Sequence, residues 1–248
     1  MKTELKDQFL IHWKKYFSTA ELPIVFYYTT GDGGAERAEK PKGRSCLICE
    51  LAKVRNGRSV YYNIDSLACG GARRYLGYTD TMRPGFEYFL SCGNDQLEGE
   101  RYIRTPEMVG EFMKNQKTLP IDGKNIVFKR WDKLEVHDDP DVVIFFAKPD
   151  VLSGLFTLAN FDQTEPNGTI TPFGAGCGTI IHYPYLESLS ERQRAVIGMF
   201  DPSARPCVPE NDLTFAVPMK RFERMIGYME ESFLITDTWT TVRNRIKA

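Results

Sequence analysis

Asp141-Val142-Val143-Ile144-Phe145-Phe146-Ala147-Lys148-Pro149 decides how this chain is built. Its apolar run, rich in β-branched and aromatic residues, is too short for a buried helix and has no polar face, so it reads as a strand covered on both sides. Pro149 then opens a helical pattern that runs to Phe161, at a position where a missing amide proton costs little. The same succession returns at Leu213-Thr214-Phe215-Ala216-Val217, where Pro218 opens a helical pattern reaching Phe233.

Working outward, apolar runs bounded by turn residues predict further strands at Leu22 to Thr29, Ser59 to Asn63, Phe86 to Cys92, Asn125 to Trp131, Thr179 to Tyr183 and Ala195 to Phe200. Leu5, Phe9, Trp13 and Phe17 recur every four positions and predict an amphipathic helix over residues 3–18. Strands interspersed with helices point to an α/β or α+β fold, a mixed β-sheet with flanking helices and the Val142 strand at its centre. No repeat and no linker-like segment interrupts the 248 residues, so a single compact domain over 1–248 is expected.

Composition excludes some functions. With 32 basic against 33 acidic residues there is no cationic excess for a nucleic-acid backbone. The basic stretch Lys40-Pro41-Lys42-Gly43-Arg44 reads as a solvated loop. No apolar run approaches the roughly 18 residues of a membrane span, and the charged N-terminal residues do not form an export signal. A cytoplasmic, reducing setting is therefore expected, in which cysteines serve as ligands, catalysts or inert core residues more often than as disulfides.

The six cysteines are the chemically distinctive feature. Ser45 reads as a helix N-cap and Gly57 as a stop, which puts Cys46 and Cys49 in the first turn of a short helix. They share a face with Lys53, away from the apolar stripe of Leu47, Leu51 and Val54. The positive helix end and the lysine would both favour thiolates, the form that attacks disulfides or binds metals. Cys69 precedes Gly70-Gly71 and a helical turn carrying Arg73, Arg74 and Tyr75, side chains that could hold an anion. Cys177, set between Gly176 and Gly178, is the expected fourth member of a set with Cys46, Cys49 and Cys69, because glycines let the backbone approach a cluster closely. Cys92 and Cys207 read as structural. Such uneven spacing is weaker than a paired zinc ribbon but compatible with iron–sulfur ligation.

Other templates fail. The CxxC does not directly follow a core strand, as a thioredoxin motif would. Ala175 and Thr179 stand where a nucleophile elbow needs glycines. Cys177 and His182, on a predicted strand, would point to opposite faces. The loop His137-Asp138-Asp139-Pro140-Asp141 reads as a solvated connection rather than a cation site. Thr29-Thr30-Gly31-Asp32-Gly33-Gly34 lacks the ending of a phosphate-binding loop and reads as a mobile loop.

The ordered set Leu22-Pro23-Ile24-Val25-Phe26, Cys46 to Cys49, Cys69-Gly70-Gly71-Ala72, Pro140 to Pro149 and Phe215-Ala216-Val217-Pro218 resembles the family catalogued as domain of unknown function 169, over roughly Leu22 to Phe233. That resemblance implies a cytosolic single-domain protein of archaea and anaerobic bacteria in which cysteines near Cys46, Cys69 and Cys177 recur. An anaerobic setting would suit an oxygen-sensitive cluster. No catalytic residue comes with it. Two expectations follow: a redox or iron–sulfur protein using Cys46, Cys49, Cys69 and Cys177, with Lys53 and Arg73 tuning the site and a redox partner, or a metal-free protein or enzyme holding an anionic small molecule with Arg73, Arg74 or Tyr75 near the carboxyl end of the Val142 strand.

Overall fold

The computed structural model describes residues 1–246 except Lys2 and Arg44, so the last residue of the basic stretch lies outside the described residues. The strands are β1 (Ile24–Thr29), β2 (Glu36–Arg37), β3 (Val60–Tyr62), β4 (Gly93–Asn94), β5 (Leu97–Glu98), β6 (Asn125–Arg130), β7 (Val142–Ala147), β8 (Thr169–Ile170), β9 (Ala195–Gly198) and β10 (Leu213–Pro218). The α-helices are α1 (Thr3–Phe17), α2 (Leu47–Glu50), α3 (Ala52–Arg55), α4 (Gly70–Tyr75), α5 (Phe86–Leu90), α6 (Pro106–Asn115), α7 (Pro149–Asn160), α8 (Tyr183–Ser188), α9 (Met219–Tyr228) and α10 (Asp237–Arg243).

Among the described residues, eight strands form one sheet in the order β2-β3-β6-β1-β7-β10-β9-β8. The pairings along its middle are antiparallel, and only the short edge strands β2 and β8 lie parallel to their neighbours. The fold is therefore a single compact α+β domain with a mixed sheet, and β7 is central and buried throughout, as its composition demands.

Alternation along β7 sends its side chains into two cores. Val142, Ile144 and Phe146 face a layer containing α2, α3, α4 and α8, whereas Val143, Phe145 and Ala147 face α1, α7, α9 and α10. Pro149 fills the first position of α7, and Asp141 just before β7 accepts the Tyr28 amide at 3.1 Å, tying β7 to β1 at its start.

Two predicted strands are helical. Phe86 to Leu90 forms α5, in which Phe86 and Phe89 sit one turn apart with ring centroids at 6.0 Å. Gly178–His182 forms a π-helical turn that leads into α8. This segment is buried on all sides, so its sequence shows no period by which helix and strand could be told apart. The predicted helix from Pro218 likewise ends at Tyr228, and a 3₁₀ turn follows at Phe233–Ile235.

Candidate functional site

Cys46, rather than Ser45, occupies the N-cap of α2 with an extended backbone, while the Ser45 hydroxyl donates to Glu50 at 2.5 Å. Leu47 and Ile48 bury against the sheet, and Cys49 is left facing solvent. Cys49 is not a free thiol: it is disulfide-bonded to Cys207, with Cα atoms 4.5 Å apart and 158 residues between them in sequence. Cys207, read from sequence as structural, ends a 3₁₀ turn at Arg205–Cys207. Nothing in its surroundings, Arg205-Pro206-Cys207-Val208-Pro209, marks more than a turn.

Cys177 enters from the π-helical turn and is buried, and Cys69 caps α4. Gly176 explains how this backbone comes so near. A Cβ on it would lie 2.9 Å from the Cβ of Ala204 and 3.2 Å from Cγ1 of Ile48. The glycine thus packs against both the helix that carries Cys49 and the turn that carries Cys207. Asp201 fixes the contact by accepting the Gly176 amide at 2.9 Å.

The electrostatics differ from the sequence expectation. Burial pushes the Cys46 thiol up, against the backbone amides of Ile48 and Cys49, which pull it down, and Cys69 and Asp201 push it further up. Burial likewise holds the Cys177 thiol well above its ordinary value, with Cys46, Cys69 and Asp201 adding to the effect. Low dielectric and neighbouring negative charge outweigh the amides of a short helix.

The expected cationic partners face elsewhere. Lys53 Nζ lies 3.8 Å from Glu50 and 5.3 Å over the Tyr62 ring. Arg73 donates through Nε and Nη2 to the Leu67 carbonyl at 3.1 and 2.8 Å. Arg74 donates to the carbonyls of Asp80 and Met113, and the Tyr75 hydroxyl meets Gln116. None of Arg73, Arg74 and Tyr75 lines the cleft at the carboxyl end of β7. That end borders an apolar cleft of about 360 Å³ lined by Ala147, Leu152, Phe156 and Ile197.

Five cysteines from four segments thus meet on one face of the sheet: Cys46, Cys49, Cys69, Cys177 and Cys207. Cys92, read as a core residue, is instead exposed beyond α5. With Cys49 and Cys207 bonded, no three His, Cys, Asp or Glu side chains among the described residues are grouped to hold a metal ion.

His182 lies behind Tyr75, buried, with ring centroids 5.7 Å from Tyr75 and 5.3 Å from Tyr183. Because the segment is helical, Cys177 and His182 are not set on opposite faces by strand alternation. Burial and the charge of Arg74 lower the imidazole pKa to about 4. Asp138, expected in a solvated loop, is instead buried in an ion pair with Lys129 at 2.9 Å. Gly31 to Gly34 forms a turn in which Asp32 accepts the Gly34 amide at 2.9 Å.

Fold and site together define an α+β protein with a cysteine-rich face and no helix, among the described residues, long and apolar enough to cross a membrane. The chain belongs to the domain of unknown function 169 family, described as uncharacterised ArCR, whose model matches residues 16–227. No curated protein and no solved structure matches it.

Proposed function

We propose that this is a redox-active protein whose chemistry resides in the five-cysteine locus. The observation that carries the reading is the exposed Cys49–Cys207 disulfide with a free thiol, Cys46, three residues before Cys49 at the same helix start. In the elementary step the Cys46 thiolate attacks the Cys49 sulfur. A Cys46–Cys49 bond forms, the Cys49–Cys207 bond breaks, and Cys207 leaves as a thiolate that takes up the proton Cys46 gave to solvent. A dithiol partner would supply the two electrons and two protons for net reduction, emerging as a disulfide.

The raised Cys46 pKa makes this exchange slow at neutral pH and faster as pH rises, by about tenfold per unit while the thiol remains largely protonated. Equilibration in dithiol buffers, acid trapping, alkylation and peptide mapping test it. Both Cys46–Cys49 and Cys49–Cys207 linkages are expected, with the former absent in Cys46→Ser. Finding Cys49–Cys207 as the sole linkage at every pH and buffer poise would refute the exchange.

A second reading applies to the reduced chain, where Cys46, Cys49, Cys69 and Cys177 would be the ligands of an iron–sulfur cluster. Beyond burial, Cys69 raises the Cys46 thiol, and Cys46 and Cys69 both raise the Cys177 thiol, which favours the reading, since a bound cation would offset those effects. Anaerobic reconstitution with iron and sulfide should then give a coloured, iron-loaded protein, and a colourless, iron-free product sinks the reading.

A further inference from the structure

A cleft of about 570 Å³ opens beside α4, α5 and α6, lined by Arg74, Arg83, Lys114 and Gln116 together with Asp80 and Glu87. Arg74 is held in place by the two carbonyls it serves. Arg83 stacks 5.2 Å over the Phe89 ring, and neither it nor Lys114 forms an ion pair among the described residues. Three cations against two carboxylates leave the cleft with a positive excess.

Its inner wall is polar and unfinished. One end of the Gln116 amide reaches the hydroxyls of Tyr75 and Tyr183 at 3.4 Å each and the other, buried end has no partner; a half turn of the amide puts its oxygen on the Tyr75 hydroxyl and presents its N–H groups at the free end, as donors for an anion. Behind the two tyrosines lies His182, 3 % exposed, with both ring nitrogens unpartnered although the carbonyls of Tyr75 and Lys117 are nearby. Buried polar atoms are almost always paired, so the free end of the Gln116 amide, at the wall of the cleft, calls for a missing partner. A π-helical turn also costs regular hydrogen bonding and is frequently found at functional sites, and here that turn carries His182.

We infer that this cleft binds a small oxyanion, a carboxylate or phosphate, through Arg74, Arg83 and Lys114, with Gln116 as the positioning residue between the ligand and the tyrosine pair. The cleft lies on the other side of Tyr75 from the thiols and does not depend on their chemistry. It also has a built-in reporter. The charge of Arg74 helps to keep His182 neutral, so an anion bound against Arg74 would raise the His182 pKa.

Titration of the full chain with inorganic phosphate and, separately, succinate, followed by the imidazole NMR signals of His12, His137 and His182, tests the site. Saturable binding of either ion with an upward shift of the His182 titration is expected. Phosphate alone would place the ligand among phosphates, succinate alone among carboxylates. In an Arg83→Glu/Lys114→Glu variant, whose altered side chains are exposed, affinity should fall at least about tenfold. The inference is overturned by no saturable response up to about 50 mM, a range that already covers weak ligands, by equal shifts at all three histidines, or by unchanged affinity in the charge-reversed variant.

Discussion

Two buried polar clusters lie on opposite faces of the same sheet and are finished differently. On the face covered by α1, α7, α9 and α10, Lys129 Nζ meets both Asp138 carboxylate oxygens at 2.9 Å, the Tyr27 hydroxyl donates to the same carboxylate, and the Glu135 amide adds a bond at 2.7 Å. Around it, Phe9, Trp131, Phe145 and Phe222 interlock edge to face with centroids 4.8 to 6.3 Å apart. On the other face the helices are four to six residues long, and the Tyr75–Gln116–Tyr183–His182 group leaves acceptors and donors unused. A closed cluster inside an aromatic lattice serves stability. An open one beside thiols and a cleft serves binding and chemistry.

The largest expected effect breaks the closed cluster. Asp138→Asn leaves the buried Lys129 ammonium with only the exposed Glu135 carboxylate at 3.5 Å as counter-charge and should cost about 3 kcal/mol in chemical denaturation. Replacing both partners, Lys129→Met with Asp138→Leu, should recover only part of that loss, because it removes the cost of burying two ions but leaves the Tyr27 hydroxyl and the Glu135 amide without their acceptor. A cost below about 1 kcal/mol for Asp138→Asn would mean that the pair is not what holds this end of the sheet.

A smaller effect is expected on the open face. Helices as short as α2 and α3 are marginal alone and rely on packing and on the crosslink to Cys207. Cys207→Ser should lower stability by about 2–4 kcal/mol under oxidising conditions. With excess dithiol the variant and the parent should converge. Persistence of the difference in reductant would show that Cys207 stabilises through packing instead.

How far each face could be read from sequence follows from the same contrast. β7, β10 and the helices after them declare themselves through runs of apolar residues and prolines at helix entries, and α1 through its four-residue period. The open face is built from segments too short or too uniformly buried to carry a period, so Phe86 to Cys92 and Thr179 to Tyr183 were indistinguishable from strands. Cys46, Cys49, Cys69 and Cys177 stood out by their glycines and spacing. Cys207 did not, since its partner is 158 residues away and only the fold brings them together. Where the Arg73 and Arg74 guanidinium groups would point was not legible, because a sequence does not reveal which carbonyls they will find. Gln116 and His182 carried no motif at all. Their interest lies in bonds they fail to make.

The smallest effect is a compensation. His182 titrates near 4 in the fold against an ordinary value of 6.5, so its contribution is complete above 6.5 and is lost as pH falls toward 4. Asp141, raised by burial to about 6 from 3.8, behaves oppositely: its contribution is complete below 3.8 and is lost as pH rises through 6. Between pH 4 and 6 the two slopes oppose each other, and the parent protein should show a nearly flat contribution from this pair. Asp141→Asn keeps an oxygen for the Tyr28 amide but removes the titration. It should therefore expose the His182 slope, a loss on the order of 2 kcal/mol on going from pH 6.5 to 4 relative to the parent. His182→Gln should do the reverse, with stability falling as pH rises from 4 to 6. Denaturant midpoints measured across this window for the three proteins decide the matter. Parallel curves would mean that His182 is solvated or partnered in solution, which would close the open cluster and remove the contrast between the two faces.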